Sequence, residues 1–229
     1  MKHAITGISS MATRQLLAEL IGAWRQRGGA EVRVESTGGV DAARRVRDGE
    51  EFDFVVLAAD AIDKLAAADR IVRGSKADIV RSGVAIAVRR AAARPAIETE
   101  EALRKAVLAA RTVGYSTGPS GVALQQLFAR WGIAGAIEDR VVQAPAGVAV
   151  GTLIARGEVE LGFQQLSELM HVEGIDVIGP MPPGLAIVTT FSGGVCVAAT
   201  QPDAARAFLE FIRSPATDAA KRRHGMEPT

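Results

Sequence analysis

Apolar positions along the chain alternate between two spacings. Ala4 to Ile8 reads as a short strand, and Leu16, Leu17, Leu20, Ile21 and Trp24 then recur at the spacing of a helix that Gly28-Gly29 ends. Glu31 to Glu35 returns to strand, Val40 to Asp48 reads as a helix, and Phe54-Val55-Val56-Leu57 is the unbroken apolar run of a strand covered on both faces. The second half repeats this order. A helix over Thr99 to Ala110 precedes a strand at Thr112 to Tyr115, and the next helix carries Leu124, Leu127, Phe128 and Trp131 on one face. A strand at Arg140 to Gln143, a helix near Val148 to Ala155 and a strand at Val159 to Phe163 complete it. Such alternation predicts an α/β protein with a mostly parallel sheet.

Two longer β-rich runs, Ser82 to Arg89 and Ala186 to Val195, read as strands crossing between the halves. The helix carrying Ala205, Phe208, Leu209 and Ile212 needs an apolar surface, and the second crossing returns it to the first half. The expected architecture therefore has two lobes, residues 1–84 with 190–229 forming one and 85–189 the other, with flexibility at Gly83 and Gly193-Gly194.

Composition narrows the function. The 229 residues are 48% hydrophobic and 23% charged, enough to bury a substantial core. Lys and Arg number 27 against 26 Asp and Glu, and aromatics are only 4%, so neither a basic nucleic-acid surface nor an array of stacking platforms is present. One Cys excludes an internal disulfide, and three His with one Cys do not easily supply a four-ligand zinc site, so no metal and no cofactor is expected. The start, Met1-Lys2-His3-Ala4-Ile5-Thr6-Gly7, lacks a signal-peptide apolar region, and no stretch reaches the roughly 20 apolar residues that span a bilayer. As written the chain reads as cytoplasmic and not membrane-inserted; one trimmed at a cleavage site, and hence periplasmic, reads the same way.

Four strand-to-helix junctions are rich in small donors: Gly7-Ile8-Ser9-Ser10, Ser36-Thr37-Gly38-Gly39, Ser116-Thr117-Gly118-Pro119-Ser120-Gly121 and Ala144-Pro145-Ala146-Gly147. In parallel α/β sheets these junctions lie at the carboxyl edge of the strands, where ligands bind. A helix start offers unpaired N–H groups and a positive dipole end, glycine admits a ligand to the backbone, and a hydroxyl adds a donor. Capping and turn formation use the same residue types, and it is their recurrence in both halves that points to an oxyanion or carboxylate ligand. Gln164-Gln165, directly after a strand, adds amides to the set. The candidate ligand residues are Ser9, Ser10, Thr37, Gly38, Gly39, Ser116, Ser120, Gly121, Gly147, Gln164 and Gln165, with no catalytic residue assigned. Arg44, Arg81 and Arg89 are further groups able to pair with a carboxylate.

A rival reading rests on Gly114-Tyr115-Ser116-Thr117-Gly118, which matches the G-x-S-x-G nucleophile elbow of serine hydrolases. His171 and His224 lie downstream, as do Asp139, Asp176 and Asp203. Against it, Pro119-Ser120-Gly121 delays the helix beyond the serine and no oxyanion segment of the HGGG kind precedes it. His224, before Gly225, reads instead as a residue of the last turn of a helix. Dinucleotide and nucleotide-phosphate loops are absent.

At these residues the chain resembles the molybdate-binding protein family, type II substrate-binding proteins of ABC transporters. The resemblance is carried by Gly7-Ile8-Ser9-Ser10-Met11, by Ser36 to Gly39, by Ala43-Arg44, Gly49 and Asp53, and by the ending Lys221-Arg222-Arg223-His224-Gly225-Met226. It implies a two-lobed type II periplasmic-binding fold and a small anionic ligand in the interlobe cleft. The contacts implied are Ser10, Thr37 to Gly39, Ser120, the segment near Gly147 and a residue after Gly162-Phe163, with an ABC permease as partner. Gly38-Gly39 stands where molybdate binders have a serine, and Gln165 where many have a tyrosine, which counts against molybdate. The wider family is also similar to aconitate isomerase, so a polycarboxylate, bound or isomerised, is the leading alternative.

Overall fold

A computed structural model of the protein describes residues 4–145 and 147–229. Its strands are β1 (Ile5–Ser10), β2 (Val32–Thr37), β3 (Phe54–Ala58), β4 (Ala77–Arg89), β5 (Val113–Tyr115), β6 (Val141–Gln143), β7 (Leu161–Gln165), β8 (Ile175–Pro180), β9 (Val188–Val195) and β10 (Met226–Pro228). The chain divides into two compact units, Met1–Ser82 with Thr189–Thr229, and Gly83–Val188, so that β4 contributes residues to each.

In the first unit β1 lies between β2 and β3 and runs parallel to both, and β9 joins β3 antiparallel. Because side chains alternate across a strand, β3 feeds two cores. Phe54 and Val56 pack with Leu16, Leu17 and Leu20 of helix Arg14–Gln26 and with Phe208, Leu209 and Ile212 of helix Pro202–Arg213. Val55 and Leu57 face Ala42 and Val46 of helix Gly39–Arg47 and Ile62 and Leu65 of helix Ala59–Ala67. Gly193 and Gly194, expected to be points of flexibility, are ladder residues of β9 paired to Val56 and Val55. A Cβ on Gly193 would lie 2.5 Å from Leu209 and one on Gly194 2.9 Å from Ile71, so close packing explains the missing side chains.

The second unit repeats the plan. Here β5 lies between β6 and β7, parallel to both, while β4 pairs antiparallel with β7 and β8. Val84, Ile86 and Val88 face helices Glu100–Ala109 and Pro119–Arg130, whereas Ala85 and Ala87 face helix Val150–Ala155. His224 caps helix Asp218–Arg223, one position beyond its expected place, before Gly225 at φ 67°. Among the described residues no helix is long and apolar enough to cross a membrane, and no cluster of His, Cys, Asp and Glu is arranged to hold a metal ion.

A single carboxylate joins three segments of the first unit. Asp53 is 2% exposed. Its Oδ2 accepts from Thr6 N–H at 2.8 Å and Thr6 Oγ1 at 3.2 Å, and its Oδ1 from Thr200 N–H at 2.8 Å, Thr200 Oγ1 at 3.2 Å and Gln201 N–H at 2.8 Å. Burial pushes this carboxyl up, but the N–H donors of Thr6, Gln201 and Thr200 outweigh it and hold the group below its ordinary range. A carboxylate with a depressed pKa stabilises the fold above the ordinary carboxylate range and loses that contribution as pH falls through its folded value. Asp53→Ala is expected to cost about 3 kcal/mol in urea unfolding at pH 7, because buried donors are left unpaired. Asp53→Asn should flatten the loss of stability below pH 4 that is expected of the parent chain; an unchanged acid limb would contradict the assignment.

Candidate functional site

Each unit places its first parallel strand in the middle of three. Successive connections from such a strand leave in opposite directions, so the loops at its carboxyl end part and expose the sheet edge. Ser10 ends β1, and Ser116 follows β5.

In the first unit β1 and β2 are paired to their tips, Ser9 to Ser36 and Ser10 to Thr37. Ser9 is fully buried, its Oγ 2.8 Å from Ser36 Oγ, so this hydroxyl ties the two strand ends together. Ser10 is different. Its Oγ is buried and has no hydrogen-bond partner, and its Cβ lies 3.7 Å from where a side chain on Gly39 would begin. Gly39 opens helix Gly39–Arg47 with Gly38 as cap, and the first backbone bond of this helix runs from Ala42 N–H to Gly38 O. The N–H groups of Gly39, Val40 and Asp41 therefore have no acceptor within the helix. A buried hydroxyl without a partner beside a helix start is an arrangement that an anion completes. Val40, at 62% exposed, sets an apolar side chain on the same turn.

In the second unit helix Pro119–Arg130 begins at Gly118. Pro119 has no N–H, and Gly121 and Val122 both donate to Gly118 O, which leaves Ser120 with its N–H and its hydroxyl. Ser120 is buried, and its Oγ lies 3.5 Å from Ser116 Oγ. Gly121 is required here, because a Cβ would lie 1.8 Å from the carbonyl oxygen of Ser116. Gly147 holds φ 79° in a turn closed by Val148 N–H on Pro145 O, and Ala146 of the same junction lies outside the described residues. Gln164 and Gln165 are buried strand residues of β7. Gln164 Oε1 accepts from Gly151 N–H at 3.3 Å, and its Nε2 donates to Glu168 at 2.7 Å.

The structure brings two carboxylates to these loops that the junction sequences do not reveal. Asp41 lies 3.4 Å from Thr37 Oγ1 and is hydrogen-bonded by Arg44, which holds its carboxyl below the ordinary range. Glu168, on the short helix Leu166–Leu169, is partly buried, and burial pushes its carboxyl up to about 7 while the Gln164 amide pulls the other way. The signal for Glu168 was its place four residues after Gln164. The nucleophile-elbow reading of Ser116 finds no support in this geometry. Its hydroxyl faces Ser120, the helix starts three residues later, and His224 is engaged by Glu19 at 2.8 Å.

The family model of the bacterial extracellular solute-binding proteins matches residues 5–227. The chain belongs to that family. A curated relative, aconitate isomerase from a Pseudomonas species, is 36% identical over 185 residues, covering 80% of this chain and 70% of that protein. Among solved structures, the periplasmic molybdate-binding protein of Azotobacter vinelandii superposes with a TM-score of 0.80 at 17% identity, covering 97% of this chain and 98% of that one. The sulfate-binding protein SubI from Mycobacterium tuberculosis H37Rv also gives 0.80, at 16% identity, with 100% and 88% covered. These likenesses establish the two-lobed type II binding-protein fold.

Gly121→Ala tests the geometry of the second junction. It should lower stability by about 1–3 kcal/mol, as overpacking against backbone does. Gly135→Ala, with nothing within 4 Å of the new side chain, should leave the thermal midpoint unchanged or raised. Equal midpoints for the two variants would contradict the close approach of Gly121 to Ser116.

Proposed function

We propose that this member of the family binds one small anion, an oxyanion or a carboxylate, through the donors of Ser10 and the first turn of helix Gly39–Arg47 in the first unit. Gly38 shapes the start of that helix, and Ser116, Ser120, Gly147 and Gln165 lie at the corresponding strand ends of the second unit. The observation that carries the reading is the buried, unpartnered hydroxyl of Ser10 beside that helix start. Neutral donors of fixed direction suit a desolvated oxyanion of defined shape. The exposed Val40 on the same turn suits a ligand with a carbon skeleton, which favours a carboxylate over molybdate or sulfate. As a solute-binding protein it hands its ligand to an ABC-type permease, or acts as a free-standing relative of such a component.

A second reading is isomerisation of a polycarboxylate, supported by the 36% identical aconitate isomerase. Such a reaction needs a group able to hold and release a proton near neutral pH. Glu168, with its carboxyl at about 7, has that property.

Calorimetry with molybdate, tungstate, sulfate, citrate and trans-aconitate separates the ligand classes, the expected result being one site per chain with carboxylates ahead of the inorganic anions. Ser10→Ala should weaken binding by about 1.5–3 kcal/mol, the range for a hydrogen bond to a charged group. Unchanged affinity in Ser10→Ala would remove the central contact. Incubation with cis- and trans-aconitate decides the second reading: interconversion by the parent chain establishes catalysis, and its absence leaves binding.

A further inference from the structure

The turn assigned to the anion already carries a negative charge. Asp41 lies in the first turn of helix Gly39–Arg47, and its backbone N–H is among the donors without an intrahelical acceptor. Its Oδ2 accepts from Thr37 Oγ1 at 3.4 Å. Thr37 is the partner of Ser10 in the β1–β2 ladder, and the Ser10 side chain lies against the Gly39 position of the same turn. The carboxylate is therefore anchored at the strand end paired to Ser10, beside the N–H groups of its own turn. An acidic side chain in this place stabilises a free helix by complementing its dipole. To an incoming anion it is a like charge, and it is held ionised, because the bond from Arg44 keeps its carboxyl below the ordinary range.

Arg44 supplies the opposite charge. Its Nη2 lies 2.5 Å from Asp41 Oδ1, three residues away on the same helix face, and its Nη1 lies 3.5 Å from Asp48 Oδ2. The neighbouring Arg45 is committed elsewhere, bonded to Glu35 and Glu50 with its guanidinium 5.4 Å from the centre of the Phe52 ring. The side chains of Asp41 and Arg44 are 31% and 53% exposed, so the pair stands at the rim of the turn, where water and salt screen its charges without abolishing them. With Arg44 in place the turn presents backbone donors and a compensated carboxylate. Without Arg44, a bare carboxylate faces every negative group of the ligand.

We propose that the Asp41–Arg44 pair sets the charge selectivity of the anion site, Arg44 masking the Asp41 carboxylate so that multiply charged anions, polycarboxylates among them, are admitted. This rests on the anion-binding reading above and adds to it a specificity-determining residue that is not itself a donor to the ligand. Repulsion by an unmasked carboxylate scales with the charge of the ligand, at roughly threefold in affinity per ligand charge for exposed groups a few ångströms apart in dilute salt. It fades as the Debye length shrinks to about 3 Å at 1 M salt.

The test is calorimetry of the full chain with trans-aconitate and fumarate at pH 8, where every carboxyl of both probes is ionised, so that they differ by one charge. Arg44→Met should weaken trans-aconitate roughly threefold more than fumarate in dilute salt, and Arg44→Lys, which keeps the charge, should restore the parent's ratio. Adding Asp41→Asn to Arg44→Met should return both affinities to the parent level or tighter. In 1 M salt Arg44→Met and the parent chain should bind alike. Equal losses for the two probes, or a loss that salt leaves untouched, is the result of lost packing and overturns the proposal. A double variant as weak as Arg44→Met means that Arg44 itself touches the ligand, which overturns the masking. If the parent chain binds only one of the two probes, the salt dependence and the double variant decide the matter on that one. Ser10→Ala, measured alongside, separates the two levels of the argument. Unchanged affinity in Ser10→Ala, or no binding of either probe by the parent chain, refutes the anion-binding reading and the selectivity with it. Weakened binding in Ser10→Ala with no charge or salt dependence in Arg44→Met refutes the selectivity alone.

Discussion

The constraint on which the rest depends is the order of three parallel strands. In each unit the first of its three parallel strands lies between the two that follow it, β1 between β2 and β3, β5 between β6 and β7. A right-handed connection to one side and a second to the other force the loops apart at the carboxyl edge of the middle strand. At that edge the backbone of a helix start offers N–H groups with no acceptor of their own. The donors at these helix starts are products of topology before they are products of side chains. Ser10, Ser120 and the glycines beside them refine what the strand order provides.

The two units use the same plan with different fittings. In the first, a hydroxyl left without a partner stands against a helix start whose glycine admits close approach. In the second, proline and glycine strip the helix start down to the donors of Ser120, and on β7 the amide of Gln164 has both ends fixed. Polar groups that are buried here cost free energy unless satisfied, so each bond that is present directs the ones still open. Ser9 and Ser36 satisfy one another and hold the strand tips, leaving Ser10 as the hydroxyl with capacity to spare.

Much of this was legible in the sequence. The alternation of apolar runs located both βαβ units, and the small-residue junctions marked the strand ends. The boundaries were less legible at the site itself: β1 continues through Ser9 and Ser10, and β7 through Gln164 and Gln165. Polar residues interrupt the apolar alternation that signals a strand, yet ladder bonds to a neighbour carry the backbone on to the carboxyl edge of the sheet. Helix Ala59–Ala67 was not visible, because Ile62 and Leu65 are its only large buried anchors. Edge strand β8 ends in Gly179-Pro180, which reads as a turn. Glu168 was missed for another reason. A helix of one turn has no periodicity, and the raised pKa of its carboxyl comes from tertiary burial that no local pattern encodes.

A crystal structure of the chain with the tightest-binding anion of the calorimetric series tests the account most directly. The account predicts one anion per chain with an oxygen within about 3 Å of Ser10 Oγ, a normal hydrogen-bond distance, and further contacts to the first-turn N–H groups of helix Gly39–Arg47. An anion bound elsewhere, with Ser10 Oγ still without a partner, would contradict it.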